Sequence, residues 1–141
     1  MTIDQLSVFV ENKPGKLAEA LEILAESKID MRALSLADTA DFGILRIIVD
    51  KPQQAFDVLQ NAGYLVKINQ VIPVEISDRP GGFAEIMRFL SDAGVDVEYT
   101  YAFIARGLDK AYVILRVTDN DIAIKTLTDN GIRLLVKEDL D

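Results

Sequence analysis

Residues 12–31, "NKPGKLAEALEILAESKIDM", return 66 positions later and in the same phase as residues 78–97, "DRPGGFAEIMRFLSDAGVDV". A chain that writes one turn, helix and following strand twice is built from two copies of one unit, and 141 residues leave each copy the size of a very small domain. Leu17, Leu21 and Leu24, the i, i+4, i+7 stripe of an amphipathic helix, align with Phe83, Met87 and Leu90. On the outer face Glu19, Glu22 and Glu26 align with Glu85, Arg88 and Asp92. A gap of two residues in the middle changes the offset to 68, which pairs Val49 with Val117, Leu59 with Leu127 and Gly63 with Gly131. The modules are therefore expected over residues 1–69 and 70–141.

Period and punctuation predict four strands and two helices per copy. In the first, Leu6, Val8 and Val10 alternate with Ser7 and Phe9 as a strand, a helix covers 14–28 and a second strand 29–37. The turn "DTAD" leads to a third strand, "FGILRIIVD"; Pro52 opens a helix that Gly63 closes, and "YLVKI" is the fourth strand. The second copy supplies "VIPVEIS", a helix over 80–93, "VDVEYTYAFIA", "KAYVILRVT", "DNDIAIKTLTDN" and "IRLLVKE". This order gives an α+β fold: two tandem ferredoxin-like (βαββαβ) modules, antiparallel sheets with helices on one face. The join "KINQ" is too short for independent tumbling. Pro73 falls inside a strand where a central position would need its amide, so pairing there is expected to begin one residue later.

Composition narrows the chemistry. With no Cys and no His, thiol nucleophiles, imidazole bases, disulfides and most transition-metal sites are excluded. The net charge is −8 and both halves are acidic, without a Lys/Arg cluster, so no nucleic-acid partner is expected. No apolar run is long enough to cross a bilayer, and "MTIDQLSVFV" lacks the pattern of a signal peptide; a cytoplasmic protein without a membrane partner is expected. No cofactor or metal is expected either. Catalysis would have to rest on carboxylates, Lys, Tyr or hydroxyls, and no converging set is visible, so the chain is expected not to be an enzyme.

The repeated loops carry the functional signal. A helix start presents backbone N–H groups without internal acceptors and favours a carboxylate or phosphate. Pro14 and Pro80 fix the approach of the chain, while Gly15, Gly81 and Gly82 remove side chains that would hold a ligand away. The same residue types also make a plain capped turn. "KIDM" and "GVDV" place Asp30 and Asp96 at the start of the second strand, an end expected near the loop. Amides for a carboxylate beside a carboxylate for an ammonium match a zwitterion such as a free amino acid; aspartates that cap a turn are the plainer alternative.

The doubled "NKPGKLAE" and "DRPGGFAE" loops, with the "IDM" and "VDV" strands and the other elements in this order, resemble the ACT domain, an amino-acid-sensing module. The resemblance covers essentially the whole chain, in the tandem form without an attached enzyme. It implies a ligand site at the interface of two ACT modules that join their sheets. Similarity to the amino-acid-binding module of aspartokinases implies that the loop around Pro14, Gly15, Lys16 and Leu17, and its partner around Arg79, Gly81, Gly82 and Phe83, offers backbone amides to the ligand carboxylate. By the same resemblance Asp30 or Asp96 takes the amino group, and Asn12 and Asp78 hold a polar position that touches ligand.

Alternation puts Met31, Ala33, Ser35 and Ala37 on one face of the first copy's second strand, and Val97, Tyr99, Tyr101 and Phe103 on the matching face of the second. One well-formed site of the pair is expected, with Met31 and Val97 among the ligand contacts and Tyr99 or Tyr101 walling the ligand side chain; aromatic packing in a core or subunit interface is the alternative. The family's regulatory habit implies a free amino acid ligand and a partner enzyme or regulator, while leftover edge strands and ferredoxin-like symmetry favour a homodimer over a monomer. A non-catalytic assembly subunit of an amino-acid metabolic enzyme complex, without its own ligand, is the competing reading.

Overall fold

The computed structural model describes residues 1–39, 41–103 and 110–140, with Lys110 by its backbone alone. Ala40 of the predicted "DTAD" turn, and Ile104 and Ala105 at the end of the predicted "VDVEYTYAFIA" strand, lie outside the described residues. Two compact units result, Asp4–Asn69 and Gln70–Asp141, the latter with Met1–Ile3.

The first unit runs β1 (Ile3–Glu11), α1 (Lys16–Glu26), β2 (Met31–Asp38), β3 (Phe42–Val49), α2 (Pro52–Asn61) and the opening residues of β4 (Leu65–Ser77). Its strand order is β2-β3-β1-β4, with β3 antiparallel to β1 and to β2, as a split βαβ topology requires. Every second residue of a strand meets the helices. Leu6, Val8 and Val10 of β1 and Leu45, Ile47 and Val49 of β3 thus pack under Ala20 and Leu24 of α1 and Ala55 and Leu59 of α2. Each fully buried leucine there contributes about 2 kcal/mol of transfer free energy.

The second unit takes the remainder of β4, then α3 (Gly82–Asp92), β5 (Val97–Phe103), β6 (Lys110–Val117), α4 (Asn120–Asp129) and α5 (Lys137–Leu140). β6 lies between β4 and β5, antiparallel to both. Its core repeats the first position for position: Ile72, Val74 and Ile76 with Val113, Leu115 and Val117, under Ile86, Leu90, Ala123 and Leu127. The tandem ferredoxin-like fold is thus observed. Among the described residues no helix is long and apolar enough to cross a membrane.

Three expectations are corrected here. "KINQ" lies inside β4 rather than between elements, and pairing passes through Pro73, which stands opposite Ile114. The third correction follows from the same proline. The predicted last strand, "IRLLVKE", is reduced to one bridge, Val74 opposite Leu134, flanked by Glu75 N–H to Arg133 O (3.0 Å) and Leu135 N–H to Pro73 O (2.9 Å); the chain then turns into α5. In an antiparallel strand a residue's N–H and C=O point to the same side. The Pro73 carbonyl faces Leu135, so its missing N–H falls on that side and the reciprocal bond that would extend the ladder cannot form.

Candidate functional site

Both loops reverse the chain from a strand end onto the helix face by the same bonds. Lys13 N–H donates to Glu11 O (2.8 Å), Lys16 N–H to Lys13 O (3.2 Å) and Glu19 N–H to Gly15 O (2.9 Å). Sixty-six residues on, Arg79 N–H donates to Ser77 O (2.9 Å), Gly82 N–H to Arg79 O (3.0 Å) and Glu85 N–H to Gly81 O (3.0 Å). Gly15 and Gly81 cap the helices at φ 85° and 89°, a left-handed conformation that only glycine adopts cheaply, and no side chain caps either helix. Among the described residues, the N–H groups of Gly15, Leu17 and Ala18, and of Gly81, Phe83 and Ala84, therefore have no partner. Each corner is a cluster of unspent donors at the positive end of a helix.

The side chains around the corners differ. The Asn12 amide donates to Asp38 Oδ1 (2.7 Å) and Thr39 O (3.1 Å), tying the first loop to the β2–β3 turn. Its counterpart Asp78 is exposed. Lys16 lies 3.7 Å from Glu19, whereas in the second unit Arg79 reaches Glu85 at 2.7 Å. Leu17 and Phe83 lean on their cores, half-buried, beside the exposed Pro14 and Pro80. A cavity of about 330 Å³ opens beside the first loop, walled by Val10, Asn12, Pro14, Leu17, Leu36 and Gly43. In the second loop Gly82 is pressed on the main chain: a Cβ there would stand 2.3 Å from Ser77 O.

The aspartates are not beside the loops of their own unit. Asp30 follows α1, whose eleven residues carry the chain about 16 Å from the corner. Asp50 N–H donates to Asp30 O (3.1 Å) and Asp30 N–H to Asp50 Oδ1 (3.0 Å), at the opposite end of β2 from the Asn12–Asp38 bond. Asp96 is held likewise by Thr118, through Thr118 N–H to Asp96 O (3.0 Å) and Asp96 N–H to Thr118 Oγ1 (3.2 Å). The expected proximity of loop and aspartate is thus corrected, because a crossover helix returns the chain to the far end of the sheet. The Asp30 carboxylate pairs with Arg32. At the matching place stands Glu98, 3.8 Å from Arg116, and among the described residues the Asp96 carboxylate has no partner.

The second strands carry a further correction. A bulge at the start of β2 sets Met31 opposite Val49 but Ala33 opposite Ile48, and one in β5 sets Val97 opposite Val117 but Tyr99 opposite Arg116. An extra residue reverses the alternation. Met31 and Val97 therefore turn to the helix side and pack on the two cores, while Ala33, Ser35 and Ala37, and Tyr99, Tyr101 and Phe103, keep the other face. Tyr99 and Tyr101 stack with centroids 6.5 Å apart and planes at 15°; Phe103 lies 5.5 Å from Tyr112.

A second cavity of the first unit, about 410 Å³, is walled by Phe9, Phe42 and Tyr64 beside Glu11, Lys16 and Glu19. Only Lys16 among these was singled out, because strand, helix and turn bring them together from separate segments. The available signal was the contrast of Tyr64 with Ile132 after two aligned glycines.

Two units with one loop geometry define a tandem pair of one ferredoxin-like module. Over residues 1–141 the sequence matches the model of the ACT domain pair, and the chain belongs to that family. A crystal structure of a protein from Bacteroides thetaiotaomicron is similar at a TM-score of 0.92 and 39% identity, over 99% of this chain and 96% of that one. The regulatory subunit of aspartate kinase from Thermus thermophilus, in a ligand-free form, gives 0.66 at 17% identity, over 89% and 91%. The corresponding subunit from Thermus flavus gives 0.64 at 17%, over 91% and 92%. No curated protein matches the chain.

Proposed function

We propose that this protein is a non-catalytic amino-acid sensor. A free amino acid binds where two ACT modules meet, its carboxylate on the loop amides of one module and its ammonium on the aspartate opening the second strand of the other. The observation that carries this reading is the recurrence of one corner in both units, with the same three hydrogen bonds, the same glycine φ and the same open N–H groups. Because loop and aspartate of one unit stand at opposite ends of a helix, the clamp needs two modules, and association of two chains provides them. Asp96 is the better acceptor for the ammonium, since it has Glu98 rather than an arginine two residues on. Ligand binding favours that packing of modules and thereby shifts the affinity for a partner enzyme or regulator, a coupling that runs equally in both directions.

A thermal-shift screen of the full chain against the twenty amino acids tests the proposal. Saturation at about one hundred times the dissociation constant stabilises by roughly 2.7 kcal/mol, so a binder raises Tm visibly. Asp96→Asn is expected to weaken that binder by about tenfold and Asp30→Asn by much less. Silence across all twenty sinks the sensor and leaves the assembly-subunit reading, which the Asp30–Arg32 pair favours by occupying one carboxylate in advance.

A further inference from the structure

The 410 Å³ cavity of the first unit meets the proposed clamp only at Lys16 and has its own chemistry. Its volume suits a small molecule. Three rings line it, from Phe9, Phe42 and Tyr64, and two carboxylates, Glu11 and Glu19, face one ammonium, Lys16. Glu11 is also 3.0 Å from Lys13, whose side chain is 70% exposed and therefore screened by water. The Tyr64 hydroxyl donates to Lys16 O (3.2 Å), and its proton is held more tightly than in a free phenol, first through burial and then through the negative charge of Glu19 and Glu11. The Phe9 ring already draws a cation, with Lys67 Nζ 5.8 Å from its centroid.

The second unit has a cavity of about 270 Å³ at the aligned place, with different walls. Phe9 is matched by Glu75, Tyr64 by Ile132 and Leu65 by Arg133. There the charges answer one another, Arg133 to Glu75 at 3.5 Å and Arg79 to Glu85 at 2.7 Å. That position is an internal control.

We infer that the first-unit cavity binds a small organic ammonium ion with an aromatic body, the ring entering between Phe9, Phe42 and Tyr64 and the charged nitrogen resting against Glu19 and Glu11. The inference is independent of the amino-acid clamp, which uses the loop amides and Asp96. The test is an amide NMR titration of the full chain with two probes of matched shape, phenethylamine and 3-phenylpropionate. Phenethylamine should bind saturably, shifting Lys16, Glu19, Gly63 and Tyr64, while 3-phenylpropionate binds at least about tenfold more weakly. Glu19→Gln, an exposed substitution that leaves the fold intact, should weaken phenethylamine by about tenfold, and Phe42→Ala should weaken it as well. Equal binding of the two probes, no binding of either, or shifts as large around Gly131 as around Gly63 would overturn the inference.

Discussion

Leu24 in the first unit and Leu90 in the second lie under matching strands, fully enclosed, and the rest of the two cores corresponds in the same way. Where side chains differ they compensate: the second unit has Ile86 for Ala20 but Val113 for Leu45. Around the corners nothing compensates. Lys16 aligns with Gly82, Phe9 with Glu75 and Tyr64 with Ile132. The interior therefore sets the backbone of the corner, and the rim is left to decide what each corner can hold.

The sharpest break in that symmetry is at position 82. A methyl group there meets a backbone oxygen, which cannot rotate away, while the first unit carries a lysine at the same place. Gly82→Ala should cost the second unit roughly 3 kcal/mol, and Lys16→Ala should leave the first within about 0.5 kcal/mol. Urea unfolding followed by amide NMR reads each unit separately. Equal effects at the two positions would mean that the second corner is as open as the first.

The duplication, the element order and the helix-facing strand positions were legible in the sequence, because a period of 2 or 3.6 survives wherever an element is regular. What was lost lies where regularity fails. Period-2 counting cannot register the bulges after Met31 and Val97, so two core residues were placed among ligand contacts. Pro73 stands out in the sequence, but which neighbour its missing amide faces depends on register, and so the loss of the last strand is not legible there. The distance from loop to aspartate could have been read from topology, since a crossover helix ends where the next strand begins. The ring-lined cavity could not, because Phe9, Phe42 and Tyr64 meet only after the sheet has formed.

A smaller asymmetry lies at the end of the first helix of each unit. Lys28 takes φ 57° and Gly94 φ 76°, each with the same following bond, Ile29 N–H to Leu24 O (3.0 Å) and Val95 N–H to Leu90 O (2.9 Å). The left-handed turn strains a lysine and not a glycine, while glycine loses more chain entropy on folding. Gly94→Ala should therefore cost about 1 kcal/mol, and Lys28→Gly should gain a few tenths of that. Denaturation midpoints for the two variants check the pair; a loss at Lys28→Gly would mean that the lysine side chain holds the turn.

The smallest expected difference depends on pH and follows from Tyr64 against Ile132. The folded protein holds the Tyr64 proton more tightly than the unfolded chain does, through burial and the nearby Glu19 and Glu11. That contribution is fully present below the ordinary phenol pKa of about 10 and is lost as pH rises through the folded value. Only the first unit has a titrating group at this place. Tyr64→Phe removes the titration while keeping the ring, so the stability gap between the native chain and this variant should shrink as pH rises above about 10. A gap that stays constant would show that burial, Glu19 and Glu11 together do not hold the proton, and the cavity would then lose this sign of a negative field at its wall.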